Sequence, residues 1–140
     1  MSTTREAAAV IASAVALIAV VASPTVASAS VVSASCTGGG HNLNASSTYS
    51  TRGAYHVWSM SQWNINGAPT GHKNNINIRL MANGNQKWAW NSPDSISSGD
   101  GHVGMGSFAT LARDSEQITL QAIFDVRGYD PRCTAVSKKF

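Results

Sequence analysis

From Ile118 to Val126 the apolar residues fall on every second position. Ile118, Leu120, Ala122, Phe124 and Val126 share one face, and Thr119, Gln121 and Asp125 mostly make the other polar. A period of two is the mark of a strand with one buried side, because successive Cβ atoms point to opposite faces. Ile76, Ile78 and Leu80 repeat the pattern around Asn77 and Arg79. Tyr55 to Ser61 is a third run, and Val103 to Ala112 a fourth, diluted by Gly104 and Gly106. The expected strands are 55–62, 75–81, 86–91, 103–112 and 117–126. No helical period follows residue 30, and Gly, Asn, Ser and Pro fill the gaps as turns require. Short strands without intervening helices bury their apolar sides against another sheet. The pattern predicts an all-β fold, an antiparallel β-sandwich of immunoglobulin-like type.

The N-terminus has a different character. Arg5 precedes an uncharged run from Ala7 to Ala22, Pro24 breaks it, and Ala27-Ser28-Ala29 supplies small residues for cleavage. This is the layout of a secretory signal peptide over residues 1–29, with Ala34 as a second cleavage point. The run is shorter than the roughly 20 apolar residues of a spanning helix. Residues 30–140 are then the size of one domain. Residues 30–54, rich in Ser, Thr, Gly and Asn, read as a flexible arm carrying Cys36. Residues 55–136 read as the sandwich, and 137–140 as a basic tail with Lys138 and Lys139. The only two cysteines, Cys36 and Cys133, flank the domain. In an exported chain an even count reads as a disulfide. Closing a loop of about 100 residues is worth at most roughly 4–5 kcal/mol in the chain-entropy model.

The net charge is +3, part of it in the tail, and no basic cluster marks a nucleic-acid surface. After leader removal nothing in the chain is apolar enough to span a bilayer. The expected location is extracellular, and the expected partner is another secreted protein.

Between two of the runs lies Met81-Ala82-Asn83-Gly84-Asn85-Gln86-Lys87-Trp88-Ala89-Trp90. A two-residue type I′ turn at Asn83-Gly84 pairs Trp88 with Arg79 and Trp90 with Asn77, on the polar face. A three-residue loop pairs Trp88 with Ile78 and Trp90 with Ile76, because one residue of slip moves every side chain to the other face. Burial of a large apolar side chain is worth roughly 1.5–3 kcal/mol, which favours the second arrangement and a core role for both tryptophans.

If the strands alternate in direction, the connections 63–74, 92–102 and 127–132 share one end, and the short ones at 82–85 and 113–116 share the other. Function on sandwich folds is usually carried by loops gathered at one end. The candidate partner-binding residues there are Trp63, His72, Lys73, Arg127 and Tyr129, since aromatics and arginine are typical interface anchors. The N-terminal arm is a second candidate, by adding a strand to a partner's open sheet edge. Asp130-Pro131 beside Cys133 reads as a turn that positions the disulfide. No Gly-x-Ser-x-Gly, His-Glu-x-x-His or phosphate-cradling glycine loop is present. The four histidines are scattered, and Asp94 and Asp100 lack the order of a calcium loop. The expectation is a non-enzymatic chain with no cofactor and no metal.

Gly67-Ala68-Pro69-Thr70-Gly71, the glycine-rich Gly99-Asp100-Gly101-His102-Val103-Gly104, and Arg127-Gly128-Tyr129 follow one another in the order of the three inhibitory loops of chagasin-like cysteine protease inhibitors. The chain resembles that family over these short stretches. It lacks one threonine of the first loop and the Pro-Trp of the third. The resemblance implies an immunoglobulin-like inhibitor. In overall build, with an Ala-rich leader, one disulfide and Gly/Asn-rich loops, the chain is similar to small exported β-sandwich proteins of actinobacteria. Some of those act as adaptor subunits of secreted antibacterial assemblies. That likeness implies an adaptor.

Overall fold

The computed structural model describes residues 28–140. The expected leader therefore lies outside the described residues, apart from Ser28 and Ala29. Among the described residues eight strands follow one another: β1 (Ala29–Gly38), β2 (His41–Arg52), β3 (Tyr55–Gly67), β4 (Asn75–Ala82), β5 (Asn85–Asn91), β6 (Gly99–Leu111), β7 (Glu116–Ile123) and β8 (Arg132–Val136). They form two four-stranded sheets, in the orders β1-β2-β3-β6 and β5-β4-β7-β8. Every pairing is antiparallel. Residues between the sheets are buried, Leu43, Trp58, Trp63 and Ile65 from the first and Ile76, Ile78, Leu80, Ile118 and Leu120 from the second.

Two expectations are corrected here. Residues 30–54 are no arm: they are most of β1 and β2, paired along their full length from Ala29–Ser50 to Gly38–His41. Apart from Leu43 their inward side is built mostly from small residues, Val32, Ala34 and Cys36 on β1 and Ala45 and Ser47 on β2. The alternation is present, but its apolar contrast is weak. The strand order also differs from that of a constant-type immunoglobulin domain. There the third strand joins the second sheet while the fourth and fifth join the first. Here β3 stays with β1 and β2, because the tight turn at Gly53-Ala54 folds it back on β2, and β4 and β5 belong to the other sheet.

The β4–β5 hairpin combines the two arrangements weighed above. Asn83 and Gly84 both have positive φ, 50° and 78°, as a two-residue type I′ turn requires. Met81 pairs with Gln86 and Ala82 with Asn85, but beyond them the register shifts, and Leu80 pairs with Trp88 and Ile78 with Trp90. The extra residue is Lys87, a β-bulge that returns both tryptophans to the core side. Because β5 is an edge strand, they are half-buried and not enclosed.

Cys36 on β1 and Cys133 on β8 are disulfide-bonded, with Cα atoms 5.6 Å apart and 97 residues between them. The bond joins an edge strand of one sheet to an edge strand of the other.

Candidate functional site

Strand direction sorts the connections as the sequence predicts. The segments 68–74, 92–98 and 124–131, with the β1–β2 turn at Gly39-Gly40, lie at one end. The turns at 53–54, 83–84 and 112–115 lie at the other. We refer to these as the loop end and the turn end.

At the loop end one side chain ties three connections together. Asn74 is fully buried. Its Nδ2 donates to Thr70 Oγ1, Gly71 O and Ile96 O, and its Oδ1 accepts from the Asp125 backbone N–H. A carboxamide suits this place because it offers two donors and an acceptor without charge. Backbone bonds add to the brace: Gly71 N–H to Asp125 O, Ala68 N–H to Gly40 O, and a two-way bridge between Asn74 and Ile96. Asp125 Oδ2 accepts from Lys73 N–H. A side chain at Gly71 would strike that same carboxylate, its Cβ only 1.9 Å from Oδ2, so this close approach needs glycine. His41, also buried, donates through Nδ1 to Ala68 O and lies against the Phe124 ring. Asp130 Oδ1 accepts from Val126 N–H, and Phe124 N–H donates to Pro131 O, which sets the turn that leads into Cys133.

Of the residues nominated from sequence, four are exposed at this end. Tyr129 is 70% exposed, and Arg127, His72 and Lys73 are also exposed. His72 Nδ1 shares a hydrogen bond with Ser97 Oγ, which links loop 68–74 to loop 92–98. The fifth nomination is corrected. Trp63 is only 7% exposed, lies within β3 and stacks on Trp90 at 5.0 Å between ring centroids. Read from sequence it sat in a loop, because Asn64, Asn66 and Gly67 suggest a strand that ends early. The strand instead runs on to Gly67, and those asparagines point outward.

The turn end holds a cluster that the sequence did not announce. Glu116 is fully buried, and His56 Nδ1 donates to its Oε2 across 2.6 Å. Among the described residues Glu116 Oε1 has no hydrogen-bond partner. Tyr49 packs on His56 and on Trp58, and the Phe140 ring stacks on Tyr49. The Phe140 and Glu116 backbones exchange hydrogen bonds in both directions, so the last residue covers the pair. Nothing in the spacing of His56 and Glu116, 60 residues apart, could have joined them before the topology was known.

A third feature lies on the outward face of the first sheet. A groove of about 430 Å³ runs over β1, β2 and β3 to Asp100 on β6. It adjoins a second hollow of about 390 Å³ that shares Gln62, Trp63 and Asp100. Among the described residues no group of three or more His, Cys, Asp or Glu side chains is placed to hold a metal ion. Among those residues no helix is long and apolar enough to cross a membrane. Comparison of the chain with protein-family models, with curated proteins and with solved structures found no match.

Proposed function

We propose that this chain is an exported, non-enzymatic binding module that engages another secreted protein through its loop end. Tyr129 and Arg127 are the central contacts, with Lys73 and His72 contributing from loop 68–74, which is bonded to theirs at Asp125. The observation that carries this reading is the brace beneath them. Asn74 fastens three connections with four hydrogen bonds while these side chains stay in solvent. Loops held this way lose little conformational freedom when a partner docks, which favours affinity. Tyrosine and arginine are the residue types that most often carry binding energy. The disulfide accords with an oxidising compartment, and the leader-like residues 1–29 accord with export.

The test is capture from spent culture medium on immobilised residues 30–140, with a photo-crosslinker at position 129. The expected result is a crosslinked partner, with capture reduced at least about tenfold by Arg127→Ala with Tyr129→Ala, the combined size of two modest anchors. Capture unchanged by both substitutions overturns the reading. If the partner is a papain-type protease, as the Gly67–Gly71 resemblance implies, the same variants relieve inhibition.

A further inference from the structure

We infer that the outward face of the first sheet is a second binding site, and that its ligand is a neutral, hydroxyl-rich chain, an oligosaccharide. The strand registers set two rows of polar residues directly across all four strands. One row is Ser35, Asn44, Asn64 and Asp100, and the next is Ser33, Ser46, Gln62 and His102. A third row above them, Thr37, Asn42 and Asn66, spans three strands.

The upper rows are already cross-linked. Thr37 donates to Asn42, Asn42 to Asn66, Asn66 to Asn64, and Asn64 to Asp100 Oδ1. This chain fixes which way each amide points, so the remaining donors and acceptors present a set pattern. Among the described residues, the side chains of the lower row and Asn44 make no hydrogen bond within the protein. Those groups are free to meet a ligand. Short serines on β1 and β2 leave the floor low, and Gln62 and Asn64 on β3 stand beside it. That grading of side-chain length explains why the groove lies where it does.

The chemistry of the lining selects the ligand class. Amide, hydroxyl and carboxylate groups each accept or donate to vicinal hydroxyls. Among the described residues no lysine or arginine lines either hollow, and Asp100 is the only carboxylate there, so neither a polyanion nor a polycation is matched. A peptide seeks apolar pockets, and of the apolar residues along the two hollows among the described residues Ala34, Ala45 and Trp63 pack with the core, which leaves Met60 as the one apolar side chain on offer. The volume falls within the usual range for ligand sites, roughly 300–1,000 Å³.

The experiment titrates ¹⁵N-labelled residues 30–140 with neutral tetrasaccharides of several linkages: a β-1,4-glucan, a β-1,3-glucan, a chitin fragment and an α-mannan. The side-chain amide resonances of Asn44, Gln62 and Asn64 are followed, and sedimentation is measured in parallel. Saturable shifts at those amides with at least one probe are expected. Gln62→Ala with Asn64→Ala should weaken that probe about tenfold or more, the combined effect of two hydrogen bonds, with the backbone spectrum of the second sheet unchanged. The inference is overturned if no probe shifts those amides at millimolar concentration. Shifts confined to the loop end, or sedimentation showing a second copy covering this face, overturn it equally. A silent loop end in the capture experiment leaves these outcomes untouched.

Discussion

The two ends of this molecule are held by different forces. At the turn end the connections are short, and the closing groups are rings: Tyr49, His56, Trp58 and Phe140 pack on one another, and His56 is bonded to the buried Glu116. At the loop end the connections are long, and beyond Phe124, Ile96, Val126 and Pro131 they offer few apolar groups to pack. There the closing groups are a buried carboxamide, a web of backbone hydrogen bonds, and a disulfide whose cysteines lie close to the loops. Packing closes an end whose connections are short turns. A polar brace fixes the backbone while leaving the surface free to carry exposed side chains.

Substitutions can break that contrast or sharpen it, and the largest effect belongs to the turn end. Trp58 has no exposed surface, and its Nε1 donates to Thr110 Oγ1. Trp58→Ala removes the ring on which Tyr49 and Phe140 rest, and should cost about 3–5 kcal/mol in urea unfolding. If the loss is below about 1 kcal/mol, the aromatic closure is not what holds this end.

Next comes the disulfide. Cys36→Ser with Cys133→Ser should cost about 2–5 kcal/mol. The contrast also says where the loss shows first. Amide exchange should quicken at Gly71, Ile96 and Asp125 before it quickens at Ile118. Uniform quickening would mean that the bond secures the whole fold and not the loop end.

Asn74→Ala strips four hydrogen bonds but leaves the disulfide in place. The Asp125 N–H loses its partner and the Gly71 carbonyl its amide donor, whereas Ile96 O keeps the Asn74 backbone N–H, and such losses are worth about 1–3 kcal/mol. Asn74→Asp should be worse than alanine, because it turns an acceptor and a charge toward two carbonyl oxygens. Equal losses for the two variants would show that the amide donors matter little. Trp90→Ala should cost less, about 1–2 kcal/mol, since the half-buried ring gives up only part of a full burial.

Sequence alone reached the all-β, antiparallel class but not the strand order, and it reached the disulfide and the sorting of loops to one end. Each rests on a signal that survives without coordinates: strong alternation in Ile118–Val126, two cysteines, and the parity of consecutive strands. β1 and β2 were not legible, because Ala34, Ala45 and Ser47 do the work that valine and isoleucine do elsewhere. Ser47 is buried and bonded to Ser61 Oγ at 2.6 Å, a polar pair at a core position that periodicity scores as surface. The position of the tryptophans turned on one bulge residue, Lys87, which looks like any exposed lysine. Trp63 was misplaced for a related reason: asparagines on the outward face of a strand look like those of a loop. The outward groove was hidden with β1 and β2, since its rows exist only once four strands are in register. Within the loop end, the exposed residues were legible as types, whereas the Asn74 brace required knowing that loops 68–74, 92–98 and 124–131 meet.

The smallest expected effect on stability is the one that separates scaffold from surface. Tyr129 makes no aromatic pair within the chain among the described residues and is mostly in solvent. Tyr129→Ala should therefore shift unfolding by no more than about 0.5 kcal/mol, as for surface positions generally. The same substitution should weaken capture of a protein partner severalfold. Asn74→Ala should do the reverse in kind: it lowers stability, and it lowers capture only by loosening the backbone that presents Tyr129. A disulfide-intact Asn74→Ala chain should regain part of its capture on cooling, as the loops re-order, whereas Tyr129→Ala should not. If cooling rescues neither variant or both alike, brace and surface are not separable, and the loop end is not a rigid platform carrying independent contacts.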